Sequence, residues 1–146
     1  MVPQPLNVRF PCTPRHATRA RQAFRVYLAL LHLDARTESD LESAIGEALT
    51  NAVEHGFAQE TFFELRCSLE DSMLQIEIEG RARAAMLPNR LERPLDARDM
   101  GLGIMRALVD DVELLEDGRL IRLQKKIRAA NRHRAGKTAA TPALKG

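Results

Sequence analysis

The order of its elements predicts that this chain folds as a layered α/β sandwich. Three observations carry the prediction. Apolar residues recur at three- and four-residue spacing around Phe24 and again around Ile45, marking two amphipathic helices. Phe63, Leu65, Cys67 and Leu69 alternate with polar residues, as do Leu74, Ile76 and Ile78, marking a hairpin with one buried face. Asp117-Gly118 lies between two further apolar runs and is a strong hairpin signal.

The elements follow in order. Leu6, Val8 and Phe10 alternate, so Leu6 to Phe10 reads as a strand. Thr13 before Pro14 is a helix start, a hydroxyl cap followed by proline at the first helical position. That helix is expected to run to about Leu33, with Phe24, Tyr27, Leu28 and Leu31 on its apolar stripe. Arg15, Arg19, Arg21 and Arg25 make its other face basic, which suits either a solvated face or a docking surface for an acidic protein. Ser39 to Glu42 has the form of a capping box for the second helix, which stops near Gly56. Glu70-Asp71-Ser72 is the turn of the central hairpin. Met86 to Met100, with Pro88, Asn89 and Pro94, reads as a loop carrying Arg90, Arg93 and Arg98. The third helix opens at Met100-Gly101-Leu102-Gly103 and continues to about Val109. Val112–Glu116 and Leu120–Leu123 complete the sheet. One domain over 1–128 is expected, with a basic, small-residue tail over 129–146 read as disordered.

Composition narrows the function. At 146 residues and 45% hydrophobic, the chain is long enough for one buried core. A net charge of +2 does not demand a nucleic-acid partner. No apolar run is long enough for a membrane span, and the N-terminus lacks a signal-peptide pattern, so a cytoplasmic location is the expectation. Cys12 and Cys67 form no zinc or disulfide spacing. The four lysines are Lys125, Lys126, Lys137 and Lys145, so no glycine-rich loop carries the lysine of a P-loop.

The chemistry-bearing stretch is Glu47-Ala-Leu-Thr-Asn51-Ala-Val-Glu54-His55-Gly56. On a helix, Leu41, Ile45, Ala48, Leu49 and Ala52 share one face. Glu47, Asn51 and either Glu54 or His55 share another. A carboxylate one turn before a carboxamide can serve as a proton acceptor beside a ligand for a hard cation such as magnesium. The same spacing also occurs on solvated polar faces.

The full string resembles the N box of the GHKL ATP-binding superfamily, and within it the bacterial anti-sigma factor serine kinases. The likeness runs from about Leu6 to Ile127. It implies a sandwich of Bergerat (histidine-kinase-like ATPase) type: a mixed, mostly antiparallel sheet with helices on one face. It also implies that Glu47 is the catalytic base and Asn51 the magnesium ligand. Glu54, Gly80, Arg98, Gly101, Leu102 and Gly103 fall at its nucleotide-binding positions, with ATP and Mg2+ as cofactors. Gly101, Leu102 and Gly103 match its phosphate-cradling glycine box.

Two departures accompany the likeness. In the family, the strand after the N box ends in Asp-x-Gly-x-Gly, whose Asp receives the adenine amino group. Here the same place reads Glu79-Gly80-Arg81-Ala82-Arg83-Ala84. The period-2 pattern puts Gly80 in line with Ile76 and Ile78, so Gly80 stands where the Asp would be and Ala82 and Ala84 where the glycines would be. Glu79 falls on the opposite face. Asp99 replaces the first glycine of the later box.

The resemblance implies an anti-sigma factor that phosphorylates a serine on a STAS-type anti-sigma factor antagonist and otherwise holds a sigma factor or other regulator. Family members often pair as homodimers. Neither a membrane nor a specific nucleic acid is expected as a partner. The departures keep a second reading open: a partner-binding module that has kept the fold and lost tight ATP binding.

Overall fold

The computed structural model describes residues 3–53, 62–81, 96–116 and 119–127, the side chains of Arg81 and residues 96–100 excepted. Strand β1 (Leu6–Pro11) leads into helices α1 (Pro14–Ala29) and α2 (Ala35–Asn51). The hairpin β2 (Phe62–Glu70) and β3 (Met73–Arg81) follows, then α3 (Asp96–Leu108), β4 (Asp111–Leu115) and β5 (Leu120–Lys126). The five strands form one sheet in the order β1-β2-β3-β5-β4, and every described pairing is antiparallel. The expected two-layer α/β sandwich is the observed one.

Register follows from alternation. Phe10, Phe63 and Gly80 stand in one row, Val8, Leu65, Ile78 and Ile121 in the next, and Cys67, Ile76 and Leu123 in a third. These inward side chains meet Phe24, Leu28, Leu41, Ile45, Leu49 and Met105 from the helices in one buried core. Each fully buried side chain of this size contributes about 1.5–3 kcal/mol over exposure. The central turn is as expected. Asp71 (φ 51) and Ser72 (φ 68) supply the two left-handed residues that a two-residue hairpin needs. The Ser72 carbonyl accepts the Ile127 amide at 2.7 Å, tying the turn to the end of β5.

Thr13 caps α1, its hydroxyl accepting the His16 amide at 3.3 Å, and Pro14 opens the helix. Three boundaries differ from expectation. Helix α1 ends at Ala29, four residues short of Leu33, and the chain turns through His32 (φ 55). Leu31 is buried beyond the helix end, so the apolar pattern outlasts the helix. Helix α2 begins at Ala35, not at a Ser39–Glu42 box. Asp34 is the cap, its Oδ1 accepting the Thr37 amide at 2.7 Å. Helix α3 begins at Asp96, within the expected loop.

No helix among the described residues is long and apolar enough to cross a membrane. The expected tail at 129–146 and the Asp117-Gly118 turn lie outside the described residues.

Candidate functional site

Helix α2 positions the site. Its stripe of Leu41, Ala44, Ile45, Ala48 and Leu49 is buried, which fixes its rotation. Glu47 is left half-buried at the margin of that stripe, one turn before Asn51. Asn51 ends the regular helix and is itself buried, at 6% exposure. The chain then widens into a π-type turn at Ala52–Val53, a distortion common at functional sites.

What buries Asn51 is α3. Leu102 and Met105 anchor that helix in the core, and Gly101 brings its backbone against α2. A Cβ built on Gly101 would overlap the Asn51 carboxamide, standing 3.1 Å from Cγ. The two stretches singled out from sequence, 50 positions apart, therefore meet. Gly101 and Gly103 nevertheless sit inside α3, not at its first turn as expected. Leu102 is buried, whereas Gly103 is exposed. Arg98 and Asp99 lie in the first turn, where only the backbone is described. Glu54, His55, Ala82, Ala84, Arg90 and Arg93 lie outside the described residues.

The other end of the site is the tip of β3. Gly80 is buried on the helix-facing side of the sheet, its amide bonded to the Arg119 carbonyl at 2.9 Å. It presents no carboxylate there. Glu79 faces the opposite way and is held by Arg66 at 2.9 Å. Arg66 also bonds Glu64 at 2.8 Å and Glu77 at 3.1 Å, and Glu77 accepts from Arg122 at 2.8 Å. Burial works to raise the Glu77 carboxyl, but the hydrogen bonds from Arg122 and Arg66 outweigh it and hold Glu77 below the ordinary carboxylate range. Burial likewise works to lower the Arg66 guanidinium, and its bonds to Glu79 and Glu77 hold it above its ordinary value. Glu79 is thus built into the open face of the sheet, across the sheet from the site.

One neighbour escaped the sequence reading. Arg21 of α1 crosses α2 at Gly46, with Cζ 3.4 Å from where a Cβ would stand. It borders a groove of about 190 Å3 between α1 and α2, lined also by Thr18, Thr50 and Val53. A glycine inside an otherwise strong helix pattern was the available signal.

A Mg2+–nucleotide fits this arrangement at one end. Magnesium takes one or two protein oxygens and leaves the rest of its shell to phosphates and water. Asn51, one turn past Glu47 on α2, would offer such an oxygen, and no cluster of three or more His, Cys, Asp or Glu forms a protein-only cage among the described residues. The base end does not fit the adenine-reading pattern, because Gly80 has no side chain to receive an amino group.

The sequence profile of the histidine kinase-like ATPase domain matches residues 10–125. The chain belongs to that family. The chain resembles the anti-sigma F factor of Clostridium botulinum, with 26% identity over 133 residues, covering 83% of this chain and 93% of the relative. It also resembles the anti-sigma F factor of Bacillus cytotoxicus, with 23% identity over 138 residues, covering 86% and 94%. Among solved structures it is similar in fold to the RsbU and RsbW domains of a Mycobacterium tuberculosis protein, with a TM-score of 0.66 and 22% identity. That match covers 86% of this chain but only 33% of the solved chain.

Proposed function

We propose that this ATPase domain is an anti-sigma regulatory factor that uses Mg2+–ATP to phosphorylate a serine on a STAS-type antagonist. The observation that carries the reading is the meeting of Asn51 with the glycine segment of α3, one turn beyond Glu47. Relatives named anti-sigma F factors, matched over most of their length, supply the regulatory context.

The bound nucleotide would supply the phosphoryl group, and magnesium would neutralise its developing charge. Asn51 would offer its carboxamide oxygen to the cation. Glu47 would accept the proton of the serine hydroxyl as the hydroxyl is brought in line. The α3 segment at Gly101–Gly103 would border the phosphate end of the site. In the structure as it stands, the Gly101 and Gly103 amides lie within the helix, where intrahelical carbonyls satisfy them.

Protein partners would meet α1. Arg15, Arg19, Arg21 and Arg25 are all exposed, and Val26 and Leu30 continue the surface at 67% and 55% exposure. A basic patch running into an apolar one suits an acidic partner with an apolar anchor. Regulation of a sigma factor would place the protein in the cytoplasm, and a homodimer would present two such surfaces.

Gly80 and the captured Glu79 favour a second reading, a partner switch that works without tight ATP binding. One assay separates them. The protein is incubated with labelled Mg2+–ATP and purified STAS-domain proteins from the same organism. Serine labelling of one of them by the wild type and not by Glu47→Gln supports the kinase. Partner binding that is identical with and without nucleotide, with no labelling, supports the switch.

A further inference from the structure

The two glycines of α3 are not equivalent. Around Gly103 no atom of the described residues lies within 4 Å of a built Cβ. Around Gly101 the same construction overlaps the Asn51 amide nitrogen and stands 3.1 Å from Cγ and 3.4 Å from Oδ1. Glycine inside a helix is unfavourable relative to alanine, so an interior glycine that permits close approach has a packing reason. The Gly101 amide also stands six positions into α3, past the first four amides that lack an intrahelical acceptor.

We propose that Gly101 is a positioning residue for Asn51. Its missing Cβ is the seat that holds the carboxamide between α2 and α3, with the nitrogen toward the glycine and the oxygen farther from it. Gly101 then acts on a bound cation through Asn51, not by lending its own backbone to phosphate. Gly103 has no part in the seat. The functional arm of this inference rests on the nucleotide reading above. The structural arm does not.

The experiment is a thermal double-mutant cycle on the full chain, without nucleotide. It compares wild type, Gly101→Ala, Asn51→Ala and the double variant, with Gly103→Ala placed in both backgrounds. Gly101→Ala is expected to lower Tm by about 4 °C or more in the wild-type background. With Asn51→Ala the added methyl has room, and the same change should leave Tm level or raise it through helix propensity. Gly103→Ala should shift Tm equally in both backgrounds. If Gly101→Ala alone does not fold, folding of the double variant carries the same support, and failure of both overturns the seat. An equal Tm shift by Gly101→Ala in the two backgrounds also overturns it.

The second measurement titrates ATP into wild type and Gly101→Ala, with magnesium and with chelator. Action through Asn51 predicts loss of most of a magnesium-dependent gain of about tenfold, while magnesium-free affinity stays within about twofold. An equal fall with and without magnesium would mean that Gly101 touches phosphate directly, and would overturn the indirect role. Absence of nucleotide binding in the wild type would count against the nucleotide reading, and the thermal cycle would then decide the seat alone.

Discussion

The two ends of the candidate site have fared differently. At the α2–α3 end, a carboxylate, a buried carboxamide and a close-packed glycine stand together. At the β3 end, the row that would hold a base-reading carboxylate holds Gly80, and the carboxylate next to it in sequence, Glu79, is tied to Arg66 on the far side of the sheet. A one-residue step along a strand can therefore matter more than proximity in sequence. Glu79 is adjacent to Gly80, yet the pleat turns it away, and its ion pairs hold it there.

Four variants probe that contrast. The largest expected effect is at the α2 end. Glu47→Gln should cut phosphoryl transfer by about 10²- to 10⁴-fold, the usual worth of a positioned general base, with nucleotide affinity unchanged. A steady-state transfer assay beside a binding titration checks both halves. At the β3 end, Gly80→Asp should restore a carboxylate in the buried row. It should tighten ATP by roughly 5- to 150-fold, equivalent to about 1–3 kcal/mol, and leave GTP unimproved. Without nucleotide the same variant should melt earlier, because it buries an unpaired charge.

The third variant tests the network that holds Glu79. Glu77 has its carboxyl depressed, so its contribution to stability is present above the unfolded carboxyl value and is lost as pH falls through the folded one. Melting curves between pH 7 and pH 3 should therefore show a shallower acid decline for Glu77→Gln than for the wild type. At neutral pH the variant should be less stable by about 1 kcal/mol, as expected for a half-buried pair. The smallest effect belongs to Glu79→Gln, which should leave nucleotide affinity within about twofold while costing some tenths of a kcal/mol in stability. A tenfold loss of ATP binding there would place Glu79 in the site after all.

Much of this was legible in the sequence. Period-2 alternation fixed the faces of β2 and β3, and with them the inward position of Gly80 and the outward one of Glu79. The Thr13-Pro14 start of α1 was readable because cap chemistry is local. The α2 start was not, because Ser39 and Glu42 imitate a capping box while Asp34 lies before the amphipathic pattern begins. The early start of α3 was hidden behind Pro94, which reads as a loop residue and also suits the approach to a helix. The contact of Gly101 with Asn51 depends on how α3 crosses α2, and no one-dimensional pattern encodes a crossing. The ion-paired face of the sheet was equally invisible, since it joins Arg9, Arg66 and Arg122 from three strands.

In the proposed site, a magnesium–phosphate end would join a base end that has no carboxylate to read adenine. Calorimetric titration of the wild type and Asn51→Ala with Mg2+–ATP and Mg2+–GTP examines both ends at once. ATP and GTP are expected to bind the wild type within about threefold of each other, and both to weaken at least about tenfold in Asn51→Ala. A strong preference for ATP, or binding indifferent to Asn51→Ala, would contradict this arrangement.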